Sequence, residues 1–284
     1  MTAQFLKLGD CIGVMAPSSY VEKSDIEKSC AALEKLGYDV FVHEQTYAKE
    51  HQSAGTTQEK IDALHELYVR ENVDAIWAAG GGNRAMDIAK NAKPLLGFSD
   101  VTALLNPIFA HTGIQGFHAQ SFKHLHDFKA LDETLSVLSG DISSMSLADA
   151  DVVQKGQAEG VLIGGCLSLF HYLPGTNDCP NLQDAILILE DTGDEISRFD
   201  RMFIHMKRMG VFEQIGGLVL GEFHNVGDSG MPFGFDVVDI ISNALDGRDI
   251  PAVVNAPFGH GKNLFPLPIG ANAKLDTDAQ TLDF

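Results

Sequence analysis

Leu95-Leu96-Gly97-Phe98-Ser99-Asp100-Val101-Thr102 decides how the chain is read. Its apolar start reads as a short strand. After Ser99, Val101, Leu104, Leu105 and Ile108 recur at i, i+3, i+4 and i+7, which predicts a helix. Pro107 interrupts that pattern and is expected to kink or restart the helix. A serine on such a strand-to-helix turn projects its hydroxyl at the carboxyl edge of the sheet, where open α/β folds bind ligands. The nucleophile elbow of serine hydrolases has the same geometry, although Val101 stands where the second glycine of GxSxG belongs. The plainer alternative makes Ser99 only the cap of the helix. Asp100 suits the positive end of the helix dipole, and its backbone N–H is placed to stabilise an oxyanion.

Outward from this turn the first half alternates strands and helices. Ile12–Ala16, Val40–Val42 and Ala75–Ala79 read as buried strands. Ile26, Cys30, Leu33 and Leu36 share a helical face closed by Gly37, and Ile61, Leu64 and Tyr68 mark a second helix. Ser24 and Glu27 predict a capping box. The alternation predicts an α/β fold with a mostly parallel sheet covered on both faces. A region rich in Ser, Asp and Gln, Asp127 to Gly160, reads as the crossing between two domains, 1–145 and 146–284. The second half reads as a smaller domain of mixed strand directions. Its strands are Val161–Ile163, Ala185–Leu189, Leu218–Leu220, Ala252–Val254 and a closing pair around Ile269 and Leu282, turned at Asp276-Thr277-Asp278. Helices are expected near Phe199–Met209 and Val237–Leu245.

Apolar residues make up 45% and charged residues 21% of the 284, a globular rather than disordered balance. A net charge of −19 repels phosphate backbones and argues against a nucleic-acid partner. No apolar stretch approaches the ~18 residues of a spanning helix, and Met1–Lys7 lacks a signal-peptide pattern. A cytoplasmic protein without a membrane partner is expected. Cys11, Cys30, Cys166 and Cys179 lack metal spacing and read as reduced thiols. Gly80-Gly81-Gly82-Asn83 lacks the GxGxxG spacing. Gly261-Lys262 is no P-loop, because Ala256 and Asn263 stand at its required positions. His124 and His126 read as a solvated pair, so neither a metal nor a cofactor is expected.

The ordered set of short motifs resembles the LD-carboxypeptidase family of S66 serine peptidases, which includes the microcin C self-immunity proteins. The resemblance runs through Gly9–Ser19, Ala54-Gly55-Thr56, Gly81-Gly82, Gly97–Thr102 and Gly164–Ser168. It continues through Leu189-Glu190-Asp191, Phe199–Met202, Gly221-Glu222-Phe223, Phe258–Gly261 and Leu267–Gly270. It implies a flavodoxin- or Rossmann-like N-terminal domain and a smaller C-terminal swivelling β/β/α-type domain. It also implies a triad of Ser99, Glu190 and His260. The sequence departs from the family pattern at Gly80–Arg84, where R-G-G-Y-G is common, at His118-Ala119-Gln120, and at Cys166, where asparagine is common.

The three residue types suit one another chemically. A serine hydroxyl needs a base, and a histidine with an unperturbed pKa near ~6.5 supplies one. Glu190 ends the apolar run Ala185–Leu189, where a carboxylate needs a partner: Arg198 or Arg201 on the plain view, His260 on the functional one. The oxyanion donors are then the Asp100 N–H and an N–H of the Gly80–Gly82 turn, with Gly81 and Gly82 the candidates. The resemblance implies removal of the terminal D-alanine from a cytoplasmic murein tetrapeptide in peptidoglycan recycling, and a homodimer. Arg84 and Arg201 are candidate contacts for the free carboxylate of that small peptide. The alternatives are an immunity-type hydrolase of peptidyl or aminoacyl nucleotides and a non-catalytic peptide-binding protein.

Overall fold

The computed structural model describes residues 6–81, 94–127, 130–228, 230–261 and 264–284. The chain forms two compact units: Met1–Ile142 with Pro266–Gly270, and Ser143–Phe265 with Ala271–Phe284. The division read from the sequence at 145/146 carries no return of 266–270 to the first unit.

The first unit is built in chain order from β1 (Cys11–Met15), α1 (Lys23–Lys35), β2 (Asp39–Val42), α2 (Thr57–Val69), β3 (Ala75–Ala78), β4 (Leu95–Gly97), α3 (Thr102–Thr112), β5 (Gly116–His118) and α4 (Leu131–Ser139). Ile12, Val14, Ile76, Trp77 and Leu96 are buried, as strands covered on both faces require. β2, β1, β3, β4 and β5 lie parallel in that order. The order reverses at β1/β3, so the carboxyl ends of β1, β3 and β4 open on a topological switch point.

Two local signals in this unit gave way to packing, and a third was overlooked. Ser24 and Glu27 form no capping box; α1 starts after Glu22, which makes no side-chain cap. The reciprocal box is instead at α2, where the Thr56 hydroxyl accepts from the Glu59 N–H and the Glu59 carboxylate accepts from the Thr56 N–H. Pro107 does not restart the helix, because α3 runs through it from Thr102 to Thr112, with Thr102 to Ile108 all buried. Packing of that apolar stretch outweighs the one missing backbone donor.

The second unit comprises β6 (Ser144–Ser146), β7 (Asp151–Gln154), β8 (Gln157–Cys166), α5 (Leu167–Phe170), β9 (Ile186–Thr192), α6 (Ile196–Arg208), β10 (Gly217–His224), α7 (Val237–Leu245) and β11 (Ala252–Val254), with β13 and β14 below. Its parallel centre is β8-β9-β10-β11, flanked by antiparallel strands on both sides. Phe199, Met202, Phe203 and Met206 give α6 a buried face, and Ile240, Ile241, Ala244 and Leu245 do the same for α7. The two domains are therefore of the expected α/β class, and the second has mixed strand directions.

The stretch from Asp127 to Gly160 is not one loose crossing, since it contains α4, β6, β7 and the start of β8. Thr134, Leu135, Val137 and Leu138 supply the buried face of α4 inside that polar composition. The closing pair is also redrawn. Ile269 lies in β12 (Leu267–Ile269), which pairs antiparallel with β5 in the first unit. Leu282 lies in β14 (Thr281–Asp283) and faces Leu275 of β13 (Asn272–Asp276). β12 is an edge strand, which is where a sheet accepts Pro268.

Gly97 sets how closely the helical turn returns on β4. A Cβ at this position would overlap both the Val101 side-chain methyls and its Cβ. Gly97→Ala is therefore expected to destabilise the protein by about 1–3 kcal/mol through overpacking, read by denaturant unfolding. An unchanged midpoint would refute the tight strand-to-turn packing.

Candidate active site

In the first unit three strand ends meet around Ser99. Phe98 is extended, with φ −140° and ψ 159°, and Ser99 then turns to φ 59°, the left-handed region. A non-glycine residue held there carries about 1–3 kcal/mol of strain and persists only where its surroundings impose it. Ser99–Val101 forms a 3-10 turn leading into α3, and no side chain caps either start. The capping role considered for Ser99 is thus absent. The strained turn points instead to the elbow geometry.

The neighbours explain how the turn is held. Asp100 is buried, and its Oδ2 accepts a 2.8 Å hydrogen bond from the Ser18 hydroxyl, which follows β1. Gly81, after β3, lies so close that a Cβ would be 2.9 Å from both the Phe98 carbonyl and Ser99 Cβ, and 3.4 Å from the Asp100 nitrogen. Ser99, Asp100 and Gly81 are therefore neighbours at the switch point. Gly82 and Arg84 lie outside the described residues. Ser18 was missed by sequence reasoning, although its place directly after the first buried strand was a usable signal.

In the second unit Glu190 and His260 are in direct contact. Glu190 sits near the end of β9, completely buried, and its Oε2 lies 2.6 Å from His260 Nδ1. The same oxygen accepts the His260 backbone N–H at 3.1 Å. A carboxylate only accepts, so Nδ1 carries the proton and Nε2 is left as the basic nitrogen. The imidazole remains 16% exposed while its carboxylate partner is sealed. Neither arginine plays the partner considered above. Arg198 pairs with Asp194 at 3.2 Å, and Arg201 makes no ion pair with Glu190 or Asp200 among the described residues.

A β-bulge delivers the histidine loop to the carboxylate. Leu220 faces Leu189 and Phe223 faces Asp191, so Gly221 and Glu222 together oppose Glu190. A Cβ at Gly221 would overlap the Phe258 carbonyl, and the Glu222 N–H donates to that carbonyl at 2.7 Å. Gly259 adopts φ 127° and approaches so closely that a Cβ would lie 3.1 Å from Glu190 Oε2. The Gly221-Glu222 step at the end of an apolar run was the sequence signal for this bulge.

Burial also governs the titration of this cluster. It holds the Glu190 carboxyl above its ordinary range, opposed by the hydrogen bond and charge of His260. Burial likewise raises Asp191, against the N–H groups of Thr192 and Ser168 that it accepts at 2.8 and 2.7 Å. Cys166, paired with Glu190 across β8 and β9, is pushed well above the usual thiol range by burial, then by Glu190 and Asp191.

The remaining candidates are more scattered. Arg201 is exposed on α6, in a groove lined by His171, Tyr172, Arg198, Met202 and His205. His124 is exposed, but His126 is half-buried and lies 3.3 Å from the Ser29 hydroxyl, so they are not a solvated pair. All four cysteines are free thiols. Among the described residues, no group of three His, Cys, Asp or Glu is placed to hold a metal ion. Among the same residues, no helix is long and apolar enough to cross a membrane.

Two outcomes follow from the burial of this cluster. A carboxyl whose folded pKa exceeds its unfolded value stabilises the fold fully only below the unfolded pKa, and that contribution is lost as pH rises through the folded one. Glu190→Gln, which fixes the neutral form, should melt no lower than the unmodified protein at about pH 7.5. Any margin should vanish below about pH 4, where free carboxyls protonate. Thermal melts across pH test this, and a clearly lower melting temperature at neutral pH would refute it. Iodoacetamide at about pH 8 should spare Cys166 in the folded protein and alkylate it after denaturation, as read by peptide mass spectrometry. Equal labelling in both states would contradict its sealed thiol.

Comparison with known proteins agrees with this architecture. Residues 12–119 match the LD-carboxypeptidase N-terminal domain, and residues 159–275 match the LD-carboxypeptidase C-terminal domain. A putative carboxypeptidase of Synechocystis sp. is 31% identical, with 98% of this chain and 95% of that protein covered. The crystal structure of muramoyltetrapeptide carboxypeptidase from Oxalobacter formigenes superposes with a TM-score of 0.84 at 26% identity, covering 96% and 97% of the two chains. MccF in complex with glutamyl sulfamoyl guanosine superposes with a TM-score of 0.90 at 20% identity over 99% and 97%, a likeness of fold. With both halves matched in order and a relative of this identity along nearly its whole length, the chain belongs to the LD-carboxypeptidase family, the S66 serine peptidases.

Proposed function

We propose that the protein is a serine-type LD-carboxypeptidase that removes the terminal D-alanine from murein tetrapeptides in peptidoglycan recycling. The observation that carries the reading is the 2.6 Å contact between the sealed Glu190 carboxylate and His260 Nδ1. It fixes one tautomer and leaves Nε2 as a base, the arrangement a serine nucleophile needs. The strained Ser99 turn supports the same reading from the other unit.

In this mechanism Ser99 Oγ attacks the carbonyl of the residue preceding D-alanine. His260 Nε2 takes the serine proton and passes it to the leaving amine, and Glu190 orients and stabilises the imidazolium. The oxyanion is held by the Asp100 N–H together with an N–H from Gly81 or Gly82. Water then attacks the acyl-enzyme with His260 again as base, which frees Ser99 and the shortened peptide.

The substrate class is favoured over a nucleotide-linked one by the fate of the single tryptophan. Trp77 is fully buried in β3, donates its indole N–H to the Gln120 carbonyl at 2.7 Å, and meets the Phe122 ring edge-on at 5.9 Å. It is not available to stack on a base. The likeness to muramoyltetrapeptide carboxypeptidase fits a murein substrate and the likeness to MccF fits the alternative, so the buried tryptophan carries the choice.

The test is D-alanine release from L-Ala-γ-D-Glu-meso-diaminopimelyl-D-Ala, with Ser99→Ala as control. Release by the unmodified protein is expected, with a loss of several orders of magnitude in the variant. Equal release from both would remove Ser99 from the mechanism. Release from neither would reject the murein substrate, and aminoacyl nucleotides would be assayed next.

A further inference from the structure

The carboxyl edge of the first sheet holds a cation that this mechanism does not use. Lys123 follows β5 in the 3-10 segment Phe122–Asp127. Its backbone N–H donates to the Ala79 carbonyl at 2.9 Å, which pins it to the end of β3. Its stem then lies along Gly80, where a Cβ would sit 3.4 Å from both Lys123 Cδ and Cε. The next residue, Gly81, faces Ser99 at the distances given above. Two consecutive glycines thus have the lysine stem against one and the serine against the other.

This placement is rigidly supported. The Trp77 indole holds the Gln120 carbonyl, and Phe122 beside Lys123 is completely buried against the same ring. Lys123 itself is half-buried, and among the described residues its ammonium makes no hydrogen bond or ion pair. The chain carries 39 Asp and Glu against 20 Lys and Arg, so carboxylates to pair with are abundant. Among the described residues no carboxylate pairs with this ammonium, and its stem packs on Gly80, one residue before the Gly81 that packs against Ser99, so a carboxylate that arrives with the ligand can serve as its partner.

We propose that Lys123 binds the free carboxylate of the substrate's terminal residue and so selects peptides that end in an acid. The inference rests on the carboxypeptidase reading and adds to it the residue that enforces the exo-specificity. Arg84 and Arg201, the cations considered from sequence, are not needed for this role.

The experiment compares the murein tetrapeptide with the same peptide as its C-terminal amide, at saturating and limiting concentrations. Lys123→Met keeps the apolar stem over Gly80 and removes the charge. Lys123→Gln is a second neutral replacement, and Lys123→Arg restores a cation. On the acid peptide both neutral variants should lose about 10- to 100-fold in kcat/KM, mostly through KM, as expected for a charge-assisted contact. On the amide they should match the unmodified enzyme, and Lys123→Arg should recover most of the loss. Circular dichroism confirms that the variants are folded. Neutral variants within twofold of the unmodified enzyme on the acid, or equally impaired on both peptides, would overturn the inference alone. An unmodified enzyme that cleaves neither peptide would overturn the carboxypeptidase reading and this inference with it.

Discussion

A carboxylate with no solvent exposure imposes the arrangement of the second unit. Glu190 lies on a strand between two parallel neighbours, in surroundings built from Ile186, Leu187, Ile188 and Leu189. Taking a charge from water into such a site costs several kcal/mol unless close donors compensate. His260 provides two N–H groups to the same oxygen, one from the ring and one from the backbone. For both to reach it the histidine loop has to pass at backbone-contact distance. The bulge at Gly221-Glu222 and the left-handed Gly259 make that passage possible. Conformationally unusual backbone is thus spent where the buried charge requires it. Burial still holds the Glu190 carboxyl above its ordinary range, against the hydrogen bonds and charge of His260.

The first unit solves a complementary problem with little charge. Ser99 occupies a backbone conformation that a side chain disfavours. Its surroundings leave no alternative: Gly97 lets Val101 close on β4, Gly81 packs against the serine, and the buried Ser18–Asp100 hydrogen bond ties the turn to the end of β1. Each of these contacts joins the carboxyl end of a different strand. The strain is therefore sustained by the sheet's topology rather than by local sequence preference. Lys123 belongs to the same edge, delivered by the segment after β5 and seated through Ala79 and Gly80.

Where local rules compete, packing decides. Ser24 and Glu27 have the spacing of a capping box, yet the helix begins elsewhere, while Thr56 and Glu59 form a real one. Pro107 is carried inside a helix whose buried face continues past it. The polar stretch after Asp127 conceals α4 because Thr134, Leu135, Val137 and Leu138 are few but correctly spaced. Composition averaged over a window dilutes such a face, whereas burial depends only on its periodicity.

The sequence by itself determined the alternation of strands and helices, the α/β class, the turn at Ser99 and the family motifs, because each is written in contiguous residues. It also made Glu190 a carboxylate in need of a partner, since five apolar residues precede it. Only the tertiary structure decided that the partner is His260 rather than Arg198 or Arg201, because those groups are distant in the chain and the bulge selects among them. It likewise moved Ile269 from the final hairpin to the edge of the first sheet. Strand pairing is chosen by which sheet edge is open, a property of the assembled unit that no local window contains.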